Sequence, residues 1–127
     1  MLRSVLHSQV QRATVPPALP GHSGPSTIDA DILDAVGLRP SDQVTVANCR
    51  NGNRCETYVF FGARGSRKIE LNGAAAHLFE VGDKVIVMHY ALMTDAEYAV
   101  HHPKVAIMGE GNRVERVMRY DHTRPNQ

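Results

Sequence analysis

The chain has 127 residues, 43% of them hydrophobic, with 14 basic and 13 acidic side chains and a formal net charge of +1. That is one domain's length, with apolar content for a single core. No basic block or aromatic-interleaved basic stripe points to nucleic acid, and no apolar run approaches the roughly 18 residues of a membrane helix.

Residues 1–15, MLRSVLHSQVQRATV, place Val5, Leu6, Val10, Ala13 and Val15 among polar residues with loose alternation. The recurring β-branched residues and the lack of a cap favour a long strand over a helix. Arg3 is followed by no continuous apolar stretch, so no signal peptide is expected and the reading is cytoplasmic. Pro16, Pro17 and Pro20 forbid regular pairing and make 16–26 a loop. The stretch His22-Ser23-Gly24-Pro25-Ser26-Thr27-Ile28-Asp29 combines Gly, Pro and hydroxyl side chains. Such a stretch is a turn, or a backbone held under strain beside a hydroxyl that can attack it. Asp29 then reads as an N-cap, Ile32, Leu33 and Val36 as an apolar stripe, and Gly37 as the residue after a helix over 30–36.

From there the pattern is β. Gln43–Asn48 alternates around Val44 and Val46, Asn51-Gly52 is a hairpin signal, and Arg54–Phe61 is the return strand. Lys68–Leu71 reads as a short strand, Lys84–Tyr90 as a central one and Lys104–Met108 as the last. Asn72 to His77 breaks the strand pattern with small residues, and Thr94–Ala99 suggests a helical turn. Residues 110–127 are polar and have little to bury beyond Val114, Val117 and Met118, so 1–110 is expected to be the domain and 111–127 a loosely ordered tail. Mostly β, with six or seven short strands and one or two short helices, suggests a small β-barrel. Cys49 and Cys55 flank the Asn-Gly turn, where a cross-strand disulfide is conceivable, but two lone thiols are the favoured state. No metal site is expected: no Cys/His cluster has zinc spacing, and His101-His102 reads as a surface pair.

Several segments together resemble the pyruvoyl-dependent aspartate 1-decarboxylases. They are Met1-Leu2-Arg3, Arg12, the Gly24 turn with Ile28-Asp29, Asn51-Gly52 leading to Arg54, Thr57 and Tyr58, Arg64-Gly65, Asn72 through His77, and Gly82-Asp83. They keep that family's order and spacing over residues 1–110. The resemblance implies a double-psi β-barrel, a homotetramer with sites between subunits, and decarboxylation of aspartate to β-alanine. It implies that Arg54 binds a substrate carboxylate, that Tyr58 donates a proton, and that Asn72 with the N–H groups of Gly73, Ala74 and Ala75 holds a carbonyl or oxyanion.

The family's chemistry starts from a Gly-Ser bond, whose serine becomes the pyruvoyl group that acts as electron sink. Here Gly24 is followed by Pro25, which has no hydroxyl. The family's N-terminal lysine and a nearby histidine fall on Gln9 and Gln11, and its aromatic residue on His22. The processing counterparts are therefore Gly24, Pro25, Ser26 and Thr57. Residues 54 and 58 share a strand face, and Thr57 points to the other. Three readings follow. The first is an unprocessed member, without pyruvoyl, that binds a small carboxylate or carbonyl compound and does acid–base chemistry on it, with Arg54 as anchor, Tyr58 as acid, and His22 or His89 as base. The second is a working decarboxylase cut at Pro25-Ser26, with pyruvoyl from Ser26. The third is a non-catalytic partner of a genuine decarboxylase.

Overall fold

A computed structural model describes residues 1–17 and 26–124. The elements in order are β1 (Arg3–Thr14), β2 (Ser26–Asp29), α1 (Ala30–Val36), β3 (Gln43–Asn48), β4 (Arg54–Gly62), β5 (Ile69–Glu70), β6 (Lys84–Met93), α2 (Asp95–Val100), β7 (Lys104–Met108) and β8 (Val114–Arg119). Short 3-10 helices occupy Gly73–Leu78 and Glu110–Asn112. All eight strands join one curled sheet in the order β5-β2-β4-β3-β6-β1-β7-β8, a small-barrel architecture. The pairs β1/β7 and β2/β4 are parallel, and the others are antiparallel.

The strands form where β-branched residues recur, because those side chains pack well on a pleated, half-buried surface. Val10, Val44, Val46, Val59, Val85 and Val87 are fully or almost fully buried on the inner face. Ile32, Leu33 and Val36 of α1, followed by Leu38, fill the same core. Asp29 caps α1 through its side chain, which accepts the Asp31 N–H at 2.8 Å. Gly37, with φ of 81°, ends the helix in the left-handed conformation. β1 is twelve residues long and carries two register shifts against β6, the second at Arg12, whose φ is 65°. Such bulges increase the local twist that curls a sheet.

The expected strands and α1 are present, with two additions. The count is eight rather than six or seven. β2 begins at Ser26, inside the stretch read as a loop, and takes its order from pairing with β4 on one side and β5 on the other. β8 lies in the segment expected to be loose after residue 110, paired along β7 from Lys104–Arg119 to Met108–Val114. Most of β8 is exposed, so backbone pairing rather than apolar burial orders it. Asn112, 4% exposed, ties the two ends of the sheet together. Its Oδ1 accepts the Thr14 N–H at 2.7 Å, and its Nδ2 donates to the carbonyls of Thr14 at 2.9 Å and Arg67 at 3.1 Å. Cys49 and Cys55 are both free thiols. No helix among the described residues is long and apolar enough to cross a membrane.

Candidate active site

β4 carries the central residues. Its burial alternates, with Arg54, Glu56 and Tyr58 exposed and Cys55, Thr57 and Val59 turned inward. Arg54 is paired with Ala47 through the backbone, and its guanidinium makes no hydrogen bond or ion pair with the described residues. Two acids that could have paired with it are engaged elsewhere: Glu56 accepts from the Gln43 amide at 3.2 Å, and Asp83 is bound by Arg50. Tyr58, 51% exposed, stands edge-on to Phe60 with ring centroids 5.7 Å apart. Arg54 and Tyr58 therefore present a guanidinium and a phenol on the same outer face.

The hydroxyl groups lie on the inner side. Ser26 pairs with Val59 in the β2/β4 ladder and is 3% exposed. Its Oγ accepts the Asn72 N–H at 3.1 Å. Thr57, half-buried, faces the same side two residues along β4. Gly73, Ala74 and Ala75 form the first turn of the 3-10 helix after Asn72, with Gly73 at φ of 65°. The first N–H groups of such a turn have no partner within it. The sequence-derived residues thus divide into two sets on opposite faces of β4. His22, Gly24 and Pro25 lie outside the described residues.

His89 is not an exposed base. Its side chain is 14% exposed, its Nδ1–H donates to the Gln43 carbonyl at 2.7 Å, and its Nε2 faces Asp42 at 3.8 Å. Because Gln43 lies opposite Tyr58 in the β3/β4 ladder, His89 braces the strand beside the phenol. An open cleft of about 300 Å3 lies on the outer face and is lined by Ser4, Gln43, Thr45, Glu56, Tyr90 and Leu92. Glu56 is the acid of this cleft. Glu56 is not among the site residues expected from the sequence, although the two-residue strand period that aligns Arg54 with Tyr58 puts residue 56 between them. Among the described residues no group of three His, Cys, Asp or Glu side chains could hold a metal ion.

Behind this surface, Asp83 organises the β3–β4 turn. It accepts Arg50 Nε at 2.7 Å, Arg50 Nη2 at 3.1 Å, Asn48 Nδ2 at 2.7 Å and the Glu80 N–H at 2.8 Å. The Arg50 hydrogen bonds, then that from Glu80, hold its carboxyl far below the usual carboxylate range.

The family model described as aspartate decarboxylase matches residues 1–115. The aspartate 1-decarboxylase of Bacillus subtilis is 46% identical over 118 residues, which is 93% of each chain. That of Exiguobacterium sibiricum is 47% identical with the same coverage. The Staphylococcus carnosus enzyme is 49% identical over 90% of each chain.

Proposed function

The chain belongs to the aspartate decarboxylase family, and from that premise we propose that it is a member that does not process itself to a pyruvoyl enzyme and instead uses the outer face of β4 to bind a small carboxylate. Pro25 carries this reading. A pyruvoyl group there needs a serine skeleton, and proline offers neither its hydroxyl nor its carbon framework. The residues present do not fit the group at that position. The next hydroxyl, that of Ser26, belongs to a buried, paired strand, and its oxygen is engaged by the Asn72 N–H.

Arg54 is the anchor. An unpaired guanidinium offers a planar fork that matches a carboxylate in two parallel hydrogen bonds. The relatives' shared name points to aspartate or another small dicarboxylate as the ligand class. Tyr58 supplies a hydrogen bond or a proton beside the bound carboxyl or carbonyl group. Asn72 and Gly73 to Ala75 belong to the opposite side of β4, so a site that uses both sets draws them from different subunits of a homotetramer.

The test combines intact mass with calorimetry. One species near 14.0 kDa is expected, together with binding of a dicarboxylate at millimolar concentration or better and no release of β-alanine from aspartate. Arg54→Ala should weaken binding by one to two decades, the loss of about 1.5–3 kcal/mol from a charge-assisted pair. Arg54→Lys should weaken it too, since it keeps the charge but not the fork. Fragments 1–25 and 26–127 would instead establish processing at Ser26, and Arg54→Ala binding as well as wild type would refute the anchor.

A further inference from the structure

Four of the seven histidines form one row. His89 on β6 stands edge-on to His7 on β1 with centroids 5.1 Å apart. His7 stacks on His101, which follows α2, at 5.5 Å and 24°. His101 meets His122, which follows β8, at 5.9 Å. His122 then stacks on Tyr98 of α2 at 4.3 Å and 18°. This corrects the reading of His101-His102 as a surface pair. His102 is exposed, but His101 is half-buried in the row.

Backbone carbonyls fix the tautomers of three rings, because a carbonyl only accepts. His89 donates Nδ1–H to Gln43, His101 donates Nε2–H to Leu6 at 3.1 Å, and His122 donates Nε2–H to Tyr98 at 2.9 Å. Each neutral ring thus bridges two elements and keeps one nitrogen to receive a further proton. Other charges face the row. Asp42 lies beside His89, Lys104 of β7 acts on His7, and Arg3 covers Tyr98 at 5.1 Å while pairing with Asp95 at 3.1 Å. Asp121, next to His122, is bound by Thr123 and Arg124. The end of α1 also approaches, since a Cβ on Gly37 would lie 3.6 Å from His7 Cε1. Burial, then His89 and His101, hold the His7 ring below its ordinary value.

We propose that this row is a proton-operated latch: while neutral it holds the segment around His122 and α2 against β1, and when neighbouring rings take up protons their repulsion frees that segment. Release occurs at the His122 end because the other end is fixed. His7 sits at the β1 bulge, held between Leu6, which pairs with Tyr90, and Ser8, which pairs with both His89 and Lys104, and His89 is opposed by Asp42. His122 is tied to α2 by one ring hydrogen bond and one stack. Imidazoles ordinarily titrate near 6.5, so the device works in the mildly acidic range.

Amide hydrogen exchange at pH 7.5 and 5.5, corrected for intrinsic rates, tests this on the whole chain. Protection of the Tyr120 and Arg124 amides, which donate to Pro103 and Asp121, should fall by about tenfold between the two, with Val59 and Val87 unchanged. His7→Gln removes the central charge and should reduce the fall to under about threefold. His102, outside the row, donates its Nδ1–H to the Tyr120 carbonyl at 3.1 Å, so the control is the exposed His77, and His77→Gln should leave the fall intact. His122→Phe keeps a ring on Tyr98 that cannot titrate, and should make protection independent of pH; it decides the matter if His7→Gln does not fold. Equal wild-type protection at both values, or an undiminished fall in His122→Phe, overturns the proposal.

Discussion

Asp29 shows what a single residue does beyond its local role. Its cap on α1 was legible in sequence, because an acid just before an apolar stripe at helical spacing has one usual use. Its second role was not. Oδ1 also accepts the Gly65 N–H at 3.1 Å, and Oδ2 accepts the Arg67 N–H at 2.7 Å. Those donors arrive from a turn more than thirty residues away, brought there by the β2/β4/β5 pairing. At 2% exposure the carboxylate cannot be replaced by water without rearrangement. Asp29→Ala should therefore cost about 2–4 kcal/mol, more than a lost cap alone, measured by urea unfolding. A loss under about 1 kcal/mol would show that the two long-range bonds contribute nothing. The candidate site divides in the same way. The shared face of Arg54 and Tyr58, and Thr57 on the opposite one, were readable from strand period, whereas the place of Ser26 on Thr57's side required β2 to be a strand.

At the level of elements, the strands that could be read were those with alternating apolar residues, such as β3, or a continuous apolar run, such as β6. β2 and β8 carry little such signal. The four residues of β2 follow a proline-rich stretch, and β8 spends three of its six positions on Glu115, Arg116 and Arg119. Charges on an outer strand discourage further strand addition while leaving the inner edge free to pair. What holds β8's end of the sheet to β5's end is Asn112, in a left-handed conformation with φ of 57°. Asn112→Ala removes partners from three backbone groups and forces a strained angle on alanine, for an expected loss of about 3 kcal/mol. Asn112→Gly relieves the angle but not the bonds, so it should recover only about 1 kcal/mol. Full recovery by glycine in thermal unfolding would assign the effect to conformation and remove the clasp.

The whole molecule's stability should step down with acidity in two stages. His7 binds its proton at lower pH when folded than when unfolded, so the unfolded chain holds more protons and stability drops as pH falls through about 6.5. Asp83 is depressed chiefly by Arg50, so its contribution is complete above about pH 4 and is lost below that. Melting temperatures should rank pH 8 above 5.5 above 3, and His7→Gln should shrink the first interval only. No difference between pH 8 and 5.5 would contradict the first stage.

β1 is hydrogen-bonded to β6 on one edge and β7 on the other. Neither neighbour exists until residues 84–108 have been made. During synthesis, then, Val5, Val10 and Ala13 leave the ribosome with no sheet to join, and a nascent chain halted before residue 84 cannot bury them as the finished protein does. The fold assembles late and all at once, in the millisecond-to-second class of non-local β topologies, and until then its first strand is a bare, two-sided edge for a chaperone to cover.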